Sequence, residues 1–88
     1  METRIAVISI IVENPQSVEL LNGYLHEYSG YIIGRMGIPY QAKARKVSII
    51  SVAIDAPQDT IATLSGKIGK LPGVSAKTAY SNVISHGD

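Results

Sequence analysis

The segment Ile8-Ser-Ile-Ile-Val-Glu-Asn-Pro15 decides how this chain reads, because it returns 42 positions later as Ile50-Ser-Val-Ala-Ile-Asp-Ala-Pro57. Each copy is a short run dense in β-branched residues, closed by an acid and a proline. Such a run is too short to span a membrane and suits a strand. The proline fixes φ and lacks an N–H, which fits the first position of a helix. A strand-turn-helix unit is therefore written twice.

Working outward, strand one is expected over 4–12, with apolar residues on both of its faces. Asn14 caps the first helix, whose core stripe is Val18, Leu21, Leu25 and Tyr28. Gly30 is expected to end that helix in a left-handed conformation. Strand two follows over 31–40 with Ile32, Met36, Ile38 and Tyr40 on one parity, and Pro39 marks it as an edge. Residues 41–46 form a basic hairpin tip. Strand three covers 47–55, the second helix 57–70 with stripe Ile61, Leu64, Ile68 and Leu71, and strand four 74–80. The order βαββαβ predicts an α+β, ferredoxin-like two-layer sandwich: a four-stranded antiparallel sheet with both helices on one face and strands one and three central. One domain is expected over 1–80, with 81–88 as a polar, flexible tail.

Composition narrows the function. The net charge of +1 over 88 residues argues against a dedicated nucleic-acid binder. The absence of cysteine removes disulfides, thiolate metal ligands and thiol nucleophiles. With no signal-peptide or transmembrane pattern, the expected location is the cytoplasm, away from membranes. Two helices cover only one sheet face, so the second apolar faces of strands one and three call for a partner. Gly23, a costly residue in mid-helix, recurs as Gly66 in the second helix. Together with Leu20, Tyr24 and Ile33, Gly23 is assigned to a candidate interface of a homo-oligomer, a dimer or a tetramer.

Three places invite a small ligand. At Asn14-Pro15-Gln16 the N–H groups of Gln16 and Ser17 would face an anion at a helix N-terminus; the alternative is a plain N-cap. In Gly34-Arg35-Met36-Gly37 an arginine between strand glycines would bind an anion; the alternative is an edge bulge with a solvated Arg. Ser65 and Gly66 form the third place. His26 is a metal candidate only if symmetry brings copies together. Acids and bases are scattered and no nucleophile elbow exists, so no catalytic residue is assigned and the chain is read as a non-enzyme. No cofactor is specified by any of these patterns.

The segments Leu25-His-Glu-Tyr28, Tyr31-Ile-Ile-Gly-Arg-Met-Gly-Ile-Pro-Tyr40 and Leu64-Ser-Gly-Lys-Ile-Gly-Lys-Leu-Pro-Gly-Val74, closed by Lys77-Thr78, resemble the small regulators of the iron-only hydrogenase system. That resemblance implies an ACT-like domain related to the C-terminal domain of nickel-responsive regulators. It also implies a non-enzymatic, ligand-sensing oligomer whose partner is a hydrogenase-maturation or regulatory protein. The alternative is a scaffold module in hydrogenase maturation without a small ligand. ACT domains that bind amino acids place a glycine in the turn after strand one, where this chain has Asn14-Pro15. The cysteine-containing metal set of the nickel regulators is missing as well.

Overall fold

Strands one and three pair antiparallel from Arg4↔Ala56 to Val12↔Ser48, so the two copies of the repeated segment lie side by side at the centre of the sheet. The computed structural model describes residues 2–42 and 45–86. Lys43 and Ala44 of the expected hairpin tip, and Gly87 and Asp88 of the expected tail, lie outside them. The elements are β1 (Glu2–Val12), a 3-10 turn (Pro15–Ser17), α1 (Val18–Glu27), a second 3-10 turn (Ser29–Tyr31), β2 (Ile32–Ala42), β3 (Arg45–Ala56), α2 (Gln58–Gly69) and β4 (Val74–His86). The sheet order is β2-β3-β1-β4, as the sequence predicts.

Period-two alternation separates the faces of the central strands. Ala6, Ile8, Ile10 and Val12 of β1 and Ile50, Val52, Ile54 and Ala56 of β3 are buried beneath the helices. Leu21 and Leu25 of α1 and Ile61, Leu64 and Ile68 of α2 complete that core, with Val18 and Tyr28 packed at its rim. Both helical stripes are therefore as read. The opposite parity is left open: Ile5, Val7 and Ile11 of β1 and Ile49 of β3 remain exposed.

Several local expectations are corrected. Pairing jumps from Ile32↔Ile54 to Gly34↔Ala53, so Ile33 is an extra residue in a β-bulge. The bulge flips the parity of β2. Ile32 packs against the core, whereas Met36 and Ile38 (70% and 60% exposed) join the open face. Gly30 is not left-handed: among the described glycines only Gly73 has positive φ. Instead α1 tightens into a 3-10 turn, Tyr31 N–H donating to Tyr28 O at 3.0 Å, and this occupies a terminal carbonyl without an unusual residue. Pro57 caps α2 instead of opening it, with Thr60 and Ile61 N–H donating to its carbonyl. Finally, β4 continues past Tyr80 to His86, so 81–86 are strand and not tail. The start of β1 supplies the partner, through Arg4↔Ile84 and Glu2↔His86 beyond a second irregularity.

One contact clamps the helices together. Lys67 Nζ of α2 lies 5.6 Å and 5.2 Å from the ring centroids of Tyr24 and Tyr28 of α1, and 3.6 Å from Glu27 Oε2. The Tyr28 hydroxyl, and then the Glu27 carboxylate, hold the ammonium above its ordinary pKa against a desolvation penalty. The folded pKa is the raised one, so this stabilisation is complete below the unfolded value of 10.5 and is lost as pH climbs through the folded value. Urea midpoints of the parent and Lys67→Met should therefore differ by a constant amount at neutral pH and converge as pH climbs past the ordinary lysine value. A difference that persists there would mean the lysine acts only by packing.

Candidate functional site

The turn after β1 is built by hydrogen bonds that close on themselves. Asn14 is extended (φ −116°, ψ 109°), and its Oδ1 accepts from Gln16 N–H at 3.0 Å. Ser17 N–H donates to Asn14 O at 3.0 Å, and Val18 N–H to Pro15 O. The two donors that the sequence reading offered to an anion are thus already engaged. The turn is also fastened from behind. Buried Ser17 donates from Oγ to Pro72 O at 2.6 Å, and Glu13 N–H donates to Gly73 O at 2.8 Å. Gly73 (φ +69°) lies so close to Asn14 that a Cβ on it would come within 2.6 Å of the Asn14 Cβ. The turn from β1 to α1 and the turn from α2 to β4 are therefore locked together, and Asn14 is a capping residue within that lock.

Arg35 is exposed but tethered. It pairs with Val52, on the helix side of edge strand β2, and its Nη2 donates to Asn22 Oδ1 of α1 at 3.2 Å. Gly34 and Met36 lie on the opposite side, around a shallow depression shared with Val7, Ser51 and Ala53. Gly34 follows the bulge without a positive φ, and a Cβ on it would meet nothing within 4 Å. Nothing lies within 4 Å of where a Cβ would stand on Gly37.

The first turn and the Gly34–Gly37 segment are not brought into one site. Val12 pairs with Ser48 and so lies level with Pro39, whereas Arg35 is four residues back along the strand, about 13 Å. On α2, Ser65 Oγ accepts from Thr78 Oγ1 at 3.0 Å and so ties the helix to β4, while Gly66 faces open space. Of the expected interface residues, Leu20 and Ile33 are exposed. Tyr24 is instead partly buried and engaged with Lys67. Gly23 meets nothing within 4 Å, so no packing inside the chain accounts for it. His26 is exposed on α1, and among the described residues no three His, Cys, Asp or Glu side chains gather.

What the sequence reading missed is a recess beside the first turn. Val12, Pro15 and Val18 on one side and Tyr40, Lys46, Val47 and Ser48 on the other enclose about 160 Å³. It forms because β2 and β3 run on as a two-stranded arm beyond the end of β1. Tyr40 pairs with Val47 and Gln41 with Lys46, while β1 stops at Val12, opposite Ser48. Lys46 had been read only as one charge in a basic hairpin tip. The clue that strand pairing continues through it is the apolar alternation on either side, which the charges at 43, 45 and 46 obscure.

Among the described residues, no helix is long and apolar enough to cross a membrane. A search of curated proteins gives no match. The family model "TM1266-like: Iron-only hydrogenase system regulator, putative" matches residues 4–78. The solved structure of TM1266 from Thermotoga maritima is similar with a TM-score of 0.79 and 33% identity, over 89% of this chain and 96% of that one. The ACT domain of a GTP pyrophosphokinase from Chlorobium tepidum matches with a TM-score of 0.58 and 20% identity, over 97% and 93% of the two chains. A formyltetrahydrofolate deformylase from Pseudomonas putida matches with a TM-score of 0.58 and 15% identity, over 90% of this chain but 29% of that one. The likeness to the ACT domain establishes the ACT-like fold. The family match and the Thermotoga relative establish more: the chain belongs to the TM1266-like family of iron-only hydrogenase system regulators.

Proposed function

We propose that this protein is a non-catalytic regulatory domain that works as a homo-oligomer, senses a small ligand beside its first turn, and passes the state to a hydrogenase-maturation or regulatory protein. The observation that carries the reading is the open sheet face. Ile38, Ile49 and Ile11 lie in one cross-strand row, flanked by Val7, Ile5 and Met36, and the row runs over β2, β3 and β1. This apolar surface spans three strands and is crossed by the Ser9–Ser51 pair; an exposed patch of this kind is what a partner covers, and a second copy brings a self-complementary surface at no further cost in sequence. The family's name as a regulator and the ACT-like fold support the rest. A ligand that touches two subunits would shift the population of their packed arrangements.

Light scattering at micromolar concentration should give a mass at least twice 9.4 kDa. A monomer would overturn the oligomeric reading. An assembly whose melting temperature responds to no small molecule would favour the scaffold alternative, in which the surface serves assembly alone.

A further inference from the structure

We infer that the recess between the first turn and the root of the β2–β3 arm binds a small aliphatic or aromatic monocarboxylate, and not an α-amino acid. The inference rests on the ligand-sensing reading above and names the ligand class for that site. Three observations carry it. The first is size: about 160 Å³ is close to the roughly 150 Å³ of an apolar cavity that holds benzene, so the space suits one ring or one branched chain of a few carbons.

The second is lining. Val12, Pro15 and Val18, on the helix side, present hydrocarbon to that space, which favours an apolar body. The third is charge. Strand alternation puts Lys46 on the same side of β3 as Ser48 and buried Ile50, one pleat further out along the arm. Lys46 therefore lines the outer end of the recess, on the same side of the strand as Ser48. No described residue forms an ion pair with Lys46.

The same lining excludes an amino acid. An α-ammonium needs a carboxylate or a set of carbonyls directed at it, and among the described residues no acidic side chain lines the recess. The N–H groups of the neighbouring turn, which could take an amino acid's carboxylate, are engaged by Asn14 and Pro15. Among the described residues, one cation and an apolar lining select one anion on an apolar body.

The test is a titration of the ¹⁵N-labelled full chain with isovalerate, benzoate, the uncharged isovaleramide, and leucine. Isovalerate or benzoate should shift the amides of Val12, Val18, Val47 and Ser48, with a dissociation constant of about 1 mM or tighter. Isovaleramide and leucine should bind at least about tenfold more weakly. Lys46→Met should weaken the acid by a similar factor while leaving the amide spectrum elsewhere unchanged, and Lys46→Arg should retain it. Equal binding of acid and amide, tighter binding of leucine, or no shift with either acid at about 10 mM would each overturn the inference. Light scattering on the same samples tests the oligomeric reading separately. A monomer that binds isovalerate retains the ligand class and loses the assembly, and an assembly that ignores both acids does the opposite.

Discussion

Replacing Ile49 with lysine is expected to leave a folded chain that runs as a 9.4 kDa monomer. Ile49 is 41% exposed in the isolated chain, so a long polar side chain there meets water and costs the fold little. In an assembly it stands at the middle of the row Ile38–Ile49–Ile11. Burying an uncompensated ammonium in such a surface costs about 3–5 kcal/mol. A two-fold interface buries it twice, so the dissociation constant should rise by at least about a thousandfold. Light scattering reads the mass, and circular dichroism confirms that the fold persists. The control, Ile49→Val, keeps the surface apolar and should stay assembled. If the lysine variant keeps the parent's mass, the sheet face is not the interface.

The second large effect is expected far from that face. Gly73→Ala combines two penalties. An L-residue at φ +69° is strained, and its Cβ would press within 2.6 Å of the Asn14 Cβ and 3.0 Å of its backbone nitrogen. Both neighbours belong to tied turns, so relief requires giving up the Glu13 N–H bond to Gly73 O or the Asn14 cap on Gln16. Together these predict a loss of roughly 2–4 kcal/mol. In a domain of this size that lowers the melting temperature by on the order of 10–20 °C. Gly66→Ala is the natural comparison, since a Cβ there meets nothing, and it should be neutral or stabilising. Equal melting temperatures for the two variants would show that the turns are not locked.

How much of this was legible beforehand follows from what each feature depends on. The sheet order and both helical stripes are functions of periodicity and duplication, and these are local. Leu21 and Leu64 are buried because their helical spacing allows no other face, whereas β1 is apolar on both parities and the placement of the helices puts Ile8 and Ile10 inside. The flip within β2 was not legible, since a bulge at Ile33 depends on how Gly34 registers against β3 and not on any pattern in β2 itself. The continuation of β4 was hidden for a similar reason. Val83 and Ile84 are too short an apolar signal among the polar residues of 81–86 to mark a strand, and the segment is extended because the first residues of β1 pair with it. The candidate site divides along the same line. Asn14 as a cap is local chemistry, whereas the fate of the Gln16 and Ser17 donors and the meeting of Pro15 with Lys46 are set by turns and strands distant in sequence.

The central pairing has a geometric consequence. Ser9 lies opposite Ser51 across β1 and β3, and Ser51 is also the counterpart of Ser9 in the duplicated segment. An internal pseudo-dyad therefore passes between these two serines and emerges at the middle of the open face. A subunit docking there would see nearly the same surface in two orientations half a turn apart, so the repeated residues alone cannot specify the pose. Orientation has to come from what the duplication does not share: the lysine-bearing arm after β2, the bulge at Ile33, and an edge strand β4 of different sequence. Assembly strength would then reside in the symmetric part of the molecule and assembly specificity in its departures from symmetry.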